Sequence, residues 1–313
     1  MFDHSAVPTQ GDEGEGMKTE LKRRGRMGKL VKYAVLICFA VVILAPISLL
    51  VLESFKTSAE FIHDPLSLPA DPQFSNYPEA WIGESTHMVE NQTVDLGMGI
   101  GEGLVNSIII VGISVFLVAG IGPLAAYALS ALPLRGKRAY FYVFMSGMFI
   151  GGPALPALWM LARALNIYNT YFALILPYVA GALPFTILIM WSYFKSTSRA
   201  LHDAAKIDGL SHFQTFRKVM LPTAMPALLT VVILQTIWIW NEFLLSLVLL
   251  QSNELFPIPR AVYYFSTQAA KGIGNSWGIF FAGVLLAALP TIIAYMLFSD
   301  RIKRGMSMEV FKG

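Results

Sequence analysis

Long uncharged apolar runs alternate with short polar segments along this chain. Tyr33 to Leu52, Leu104 to Leu132, Ala139 to Ala162, Ala164 to Phe194, Val219 to Asn241 and Gly272 to Ser299 contain no Asp, Glu, Lys or Arg. A helix needs about 20 such residues to cross a hydrocarbon layer of ~30 Å. The runs lack the ~10-residue alternation of a membrane barrel, the only other way to cross with every backbone group paired. The pattern predicts an all-α membrane protein with six transmembrane helices. Pro46, Pro123, Pro153, Pro156, Pro177, Pro184, Pro226 and Pro290 fall within these spans. Membrane helices tolerate proline where neighbours satisfy the freed carbonyls.

The charges in the polar segments orient the bundle. Lys18, Lys22, Arg23, Arg24, Arg26, Lys29 and Lys32 precede the first span. The next segment sets Lys56 alone against Glu53, Glu60, Asp64, Asp71, Glu79, Glu84, Glu90, Asp95 and Glu102. Bases return in the second-to-third connection (Arg135, Lys137, Arg138), in the fourth-to-fifth (Lys195, Arg199, Lys206, Arg217, Lys218) and in the tail (Arg301, Lys303, Arg304, Lys312). Basic loops mark the cytoplasmic side, so both termini are expected there. The expected organisation is a cytoplasmic tail at 1–29, a first transmembrane helix at 30–52, an extracytoplasmic loop at 53–103, a transmembrane domain at 104–299 and a cytoplasmic tail at 300–313. The first apolar run is long enough to span and lacks a small-residue cleavage site, so it reads as a retained anchor.

Composition agrees. Of 313 residues, 55% are hydrophobic and 14% charged, well below the roughly 25% charge of soluble domains. Cys38 is the sole cysteine; it cannot form an internal disulfide and is expected to pack within the first span. No phosphate-cradling G-x-x-x-x-G-K-[ST] occurs, so the chain is not itself a P-loop ATPase. His202 and His212 have no neighbouring His or Cys at metal-ligand spacing. Ionisable residues are nearly absent from the spans, which argues against a proton relay. The glycine-alternating run GMGIGEG at 97–103 is followed by no lysine and reads as a flexible hinge before the second span. Neither catalytic chemistry, a resident cofactor or metal, nor nucleic-acid binding is expected.

One cytoplasmic stretch stands out, DAAKIDGLSHFQTFRKVMLP at 203–222. Asp208-Gly209 reads as a helix stop, because glycine takes the left-handed conformation that ends a helix. Ser211 and Gln214 have capping-box spacing for a second short helix. Pro222 suits the first turn of the fifth span. Leu201, Ala204, Ala205 and Ile207 make a small apolar surface, and Phe213 and Phe216 lie three apart, placed to anchor against a neighbour. Residue chemistry alone suits either docking into a groove on a soluble partner or lying amphipathically at the headgroups.

Asp203-Ala204-Ala205, Lys206-Ile207-Asp208, Gly209 and, after nine intervening residues, Val219-Met220-Leu221-Pro222 resemble the EAA loop of binding-protein-dependent ABC importer permeases. Asp stands where the family has Glu, and Val where it has Ile. Asn106-Ser107, AAYALS at 125–130, LNIYNTYFALILPY at 165–178, WNEF at 240–243, LPT at 289–291 and the closing FKG resemble the maltose/oligosaccharide branch. The resemblance covers about residues 30 to 313. It implies a type I ABC importer permease fold with a coupling loop at 198–219 that docks into a separate ATPase dimer. Asp203, Ala204, Ala205, Asp208, Gly209, Phe213, Phe216, Leu221 and Pro222 would serve that coupling. A second related permease, an extracytoplasmic solute-binding protein and the lipid bilayer complete the implied partners. ATP and magnesium would sit on the partner ATPase.

On the fifth span, Gln235, Trp238, Glu242 and Ser246 recur at helical spacing and are expected to share one face, with Asn241 beside them. Aromatic and hydrogen-bonding groups suit a sugar path. Glu242 lies about one bilayer crossing beyond Pro222, near the outer surface, where a structural or interfacial role is the first reading and lining the path the second. The implied function is one half of an ATP-driven sugar or oligosaccharide pathway. A permease for another solute, such as a polyamine or phosphate ester, and a self-sufficient channel or carrier are the competing readings.

Overall fold

A computed structural model describes residues 11–89, 92–95, 97–149, 155–197, 201, 204–205, 207–272 and 276–310. The chain divides into two units, Met1–Leu52 and Glu53–Gly313. The first consists of helix α1 (Gly11–Glu53), whose final 22 residues are strongly apolar. The large apolar side chains of α1 described between Tyr33 and Leu49 are exposed, and so is Cys38, which was expected to be packed.

The second unit is built on two long helices, α4 (Ile100–Ala131) and α7 (Tyr171–Ser196). Before them come α2 (Ser58–His63), α3 (Asn76–Ile82) and a two-stranded hairpin, β1 (Glu84–Val89) and β2 (Gln92–Asp95). The hairpin is antiparallel, with Glu84 opposite Asp95 and Val89 opposite Gln92. It is the one departure from an all-helical fold among the described residues and falls in a segment expected only to be a loop. Between α4 and α7 lie α5 (Lys137–Ser146) and α6 (Leu155–Ala164). Then follow α8 (His212–Thr223), α9 (Met225–Trp240), α10 (Leu244–Leu249), α11 (Ile258–Ala270) and α12 (Ser276–Val310).

Among the described residues, four helical stretches are long and apolar enough to cross a membrane: Lys32–Glu53, Ile100–Ala131, Tyr171–Ser196 and Ser276–Ile293. The pair α8 and α9, bent by 76°, makes a fifth if counted as one span. The third expected span falls on α5 and α6, ten residues each, on either side of 150–154. Those five residues, which include Pro153 and Gly151, lie outside the described residues.

Lipid tails are as apolar as leucine, so helices in a bilayer associate through close packing rather than through release of water. Gly122 supplies that closeness where α4 meets α7: a Cβ there would fall 2.3 Å from Cγ2 of Thr186. The Thr186 hydroxyl donates back to the Ala182 carbonyl, so its polar atom is satisfied within α7. Above this crossing, Ile110, Val118, Leu174 and Tyr178 form one buried cluster; below it, Tyr127, Ile187, Met190 and Phe194 form another.

At the end of the bundle where α4 begins, polar contacts take over. Lys56 is fully buried; its Nζ donates to Glu53 Oε1 at 3.0 Å and to the carbonyls of Asp64 and Pro65. Asn76 donates to the carbonyls of Ser54 and Lys56. Thr57 and Glu60 form a capping box on α2, and the backbone N–H groups of Thr57 and Ala70 hold the Glu60 carboxyl below the usual carboxylate range. Asn106 donates to the carbonyls of Glu254 and Phe256 and accepts from the Tyr171 hydroxyl at 2.6 Å. Ser107 accepts the Ile258 amide. Asn169, at φ 61°, accepts the amides of Gln251 and Ser252. These bonds fasten the 250–258 segment across α4 and α7.

The glycine run at 97–103 is a packing seam, not a flexible hinge. A Cβ on Gly99 would meet the Trp81 carbonyl oxygen at 2.1 Å, and one on Gly83, at φ 88°, would meet the Met98 carbonyl carbon at 2.2 Å. Gly101 lies against the Trp81 indole, and Gly103 against Ala261.

Gly122→Val should destabilise the bundle by about 1–3 kcal/mol, the usual cost of overpacking. Gly112→Ala, at a position with nothing within 4 Å, should be near neutral. Thermal unfolding of the two variants in detergent checks this; equal midpoints would contradict the close crossing.

Candidate functional site

Two groups of residues carry the candidate chemistry. The first is the connection between α7 and α9. Backbone geometry ends its leading helical segment at Gly209, at φ 73°. The Leu210 amide donates to the Ala205 carbonyl at 3.1 Å and the Asp208 amide to the Ala204 carbonyl at 3.0 Å. The first of these is the six-to-one bond of a glycine-terminated helix. Ser211 then opens α8 with the expected capping box: its hydroxyl accepts the Gln214 amide, and the Gln214 side chain accepts the Ser211 amide. From Phe216 to Met220 the helix widens to a π turn.

The side chains sort into two faces. Ala204, Ile207, Asp208, Gly209 and Phe213 are exposed, Ile207 at 86% and Phe213 at 61%. Ala205 is buried within the chain, and so is Phe216. The Phe216 ring lies 5.3 Å from that of Tyr127 on α4 and 6.5 Å from that of Phe194 on α7. The two phenylalanines therefore do different things: Phe213 faces outward, while Phe216 roots the loop in the bundle. Leu221 joins the same buried cluster as a partly buried neighbour. Pro222 is exposed within α8 and does not open the fifth span. Helix α9 begins at Met225-Pro226, after the 76° bend. Tyr193 on α7 donates its hydroxyl to the Thr223 carbonyl at 2.6 Å, tying the bend to α7. Asp203 and Lys206 lie outside the described residues.

The second group lies between α7 and α9. Gln235 is buried, with its amide 3.4 Å from the Ala182 carbonyl. Trp238 meets the Tyr178 ring edge-on at 6.1 Å and packs where Gly181 leaves room. Glu242 accepts the Tyr178 hydroxyl at 2.7 Å and caps α10 by accepting the Leu245 amide at 3.0 Å. Hydrogen bonds to an ionised group are roughly twice as strong as neutral ones. They offset the cost of holding this half-buried carboxylate, which pairs with no Lys or Arg among the described residues.

The helix stops at Trp240, so the shared face predicted along the fifth span ends there. Ser246 belongs to α10, fully buried, its hydroxyl donating to the Phe243 carbonyl. Asn241 is exposed and donates back to the Ile237 carbonyl. Gln235, Trp238 and Glu242 remain together because each reaches α7. Tyr178 joins them and was given no role from sequence; its signal is a hydroxyl-bearing residue inside an otherwise apolar run. Among the described residues, no three His, Cys, Asp or Glu side chains are placed to hold a metal.

Known proteins are similar to this chain in sequence and in fold. The chain is 30% identical over 283 residues to the diacetylchitobiose uptake system permease protein NgcG of Streptomyces coelicolor, covering 90% of this chain and 88% of that one. It is 33% identical over 211 residues to the trehalose transport system permease protein SugB of Mycobacterium tuberculosis, covering 67% and 76%. A crystal structure of a bacterial ABC transporter involved in the import of the acidic polysaccharide alginate has a chain of the same fold. Its TM-score is 0.70 at 23% identity, covering 95% of this chain and 99% of that one. Residues 22–307 match the family described as the binding-protein-dependent transport system inner membrane component. A multi-pass helical bundle whose sequence matches that family over nearly its whole length thus belongs to it, as an ABC transporter permease of the maltose/oligosaccharide type.

Proposed function

We propose that this chain forms half of the membrane pathway of an ATP-driven importer for a sugar or oligosaccharide. A second permease supplies the other half, a dimeric ATPase carrying ATP and magnesium drives it, and an extracytoplasmic solute-binding protein delivers the substrate. The chain crosses the cell membrane six times with both termini in the cytoplasm, as the alternation of basic loops supports. The α5 and α6 helices together make the third crossing, and α9, entered after the bend that follows α8, makes the fifth.

The carrying observation is the division of labour in the connecting loop. Ile207 and Phe213 offer an exposed apolar surface on the cytoplasmic side, while Phe216 is held between Tyr127 and Phe194. A surface that docks and a root that reaches both long helices make a lever. ATP-driven closure of the ATPase pair moves the docked face; Phe216 and the Tyr193–Thr223 bond pass that displacement to α4, α7 and α9. Alternating access then needs only two bundle packings of comparable energy. The buried position of Ala205 changes which substitutions test docking: a bulky residue there would disturb this chain's own packing first, whereas Ile207 is exposed and Phe213 is mostly exposed, meeting the Phe216 ring at 6.4 Å. Gln235, Trp238, Tyr178 and Glu242 are the substrate-path candidates, offering an aromatic surface and acceptors for hydroxyls. The names of sugar permeases among the relatives support that substrate class.

Ile207→Asp combined with Phe213→Asp should abolish ATP-driven uptake in reconstituted vesicles and release the ATPase during purification, with membrane insertion intact. Normal uptake with the ATPase still attached would refute the docking face. Phe216→Ala, a truncation that costs about 3–5 kcal/mol in packed cores, should leave the ATPase bound and hydrolysing while uptake falls. Unchanged uptake per ATP would refute the lever. Tyr178→Phe and Glu242→Gln should each lower uptake several-fold with hydrolysis retained; wild-type uptake in both would remove them from the path. Purifying the native assembly through this chain and identifying the sugar on its binding protein tests the whole reading.

A further inference from the structure

We propose that a groove on the outer face seats a basic side chain of the solute-binding protein, an inference that rests on the importer reading above. The groove lies between the end of α3 and the first turns of α4, with a volume near 610 Å³. Trp81, Glu102, Val105 and Glu254 line it, and Gly101 and Asn106 build its floor.

It is a formed site. The Trp81 indole is 45% exposed and rests on Gly101, where a Cβ would come within 2.9 Å of the ring. Glu102 stands in the first turn of α4. Glu254 stands in the 3-10 turn Asn253–Leu255, whose backbone Asn106 grips through the Glu254 carbonyl at 2.7 Å. Asn106 is itself buried and bonded to Tyr171. Both carboxylates therefore project from fixed backbone. Both residues are exposed, and neither carboxylate pairs with a Lys or Arg among the described residues.

The electrostatics select the occupant. Four basic side chains are expected on this face, Lys56, Arg163, Arg260 and Lys271, and each has a contact within the chain; Arg163 lies over the Trp159 and Tyr168 rings. Lys56 is buried on Glu53. The Arg260 guanidinium lies over the Phe256 and Tyr263 rings, and Lys271 bonds to Gln268. The charged side chains that line the groove, Glu102 and Glu254, are both acidic. An indole between two carboxylates matches a guanidinium or ammonium group, which stacks on the ring and donates charge-assisted bonds to the acids. A binding protein is the partner that approaches from this side. A basic contact there steers its encounter with the transporter and fixes its orientation for release of substrate.

The test uses the complete transporter in lipid nanodiscs, titrated with the binding protein that co-purifies with it. Glu102→Gln with Glu254→Gln should weaken that binding roughly tenfold and flatten its dependence on salt, as expected for loss of interfacial charge pairs. Trp81→Ala should weaken it as well. ATPase attachment should be unchanged in each variant, which checks assembly; should the double variant not assemble, the single Gln variants are read the same way. Wild-type affinity and salt dependence in the Gln variants would overturn the proposal. So would unchanged protein affinity with altered affinity for free sugar, which would put the sugar in the groove. Failure of the wild type to recruit any binding protein, with its ATPase attached, would instead sink the importer reading.

Discussion

The close crossing of α4 and α7 is the constraint on which the rest of the bundle depends. In lipid there is little to gain from hiding one apolar surface against another, so association relies on how near two helices can come. Gly122 against Thr186 sets that distance. Both candidate sites are hung on it. Tyr127 and Phe194, which receive Phe216, lie on one side of the crossing, and Tyr178, which meets Trp238 and Glu242, on the other. A displacement at the loop and a change at the polar cluster are therefore read on the same pair of helices.

The two ends of the bundle are built differently. At the end carrying the 53–103 segment, amide and hydroxyl side chains clamp backbone carbonyls and amides: Asn76, Asn106, Ser107 and Asn169 each bridge segments distant in sequence. Such bonds are directional and leave little play. At the loop end the contacts are mainly aromatic and apolar, with the Tyr193–Thr223 bond as a tether. Rings can slide over one another at small cost where a bonded amide cannot. A rigid end and an end able to shift would suit the alternation between two packings proposed for the transport cycle.

Local rules were the most legible part of the sequence. The Gly209 stop and the Ser211–Gln214 box follow from backbone bonds among neighbours, and the structure has both. Hydropathy marked the long helices, because lipid imposes it residue by residue. What depends on distant contacts was hidden. GMGIGEG looks flexible until Trp81 and Ala261 are seen against it. Phe213 and Phe216 look alike in sequence and separate only once Tyr127 and Phe194 claim one of them. The break after Trp240 carries no Gly or Pro; Glu242 makes it by capping α10 and binding Tyr178, so the polar stripe continued on paper through Ser246. Ala205 looked like contact surface and is interior.

The central claim is that the face bearing Phe213 lies on the cytoplasmic side and is covered by another polypeptide. A single cysteine in place of Phe213, with Cys38 replaced by serine, reports on both points through its reaction with a membrane-impermeant maleimide. The account predicts no labelling in intact cells, protection in inverted vesicles that retain the ATPase, and labelling once the ATPase is stripped away. Labelling from outside, or equal labelling with and without the ATPase, would contradict it.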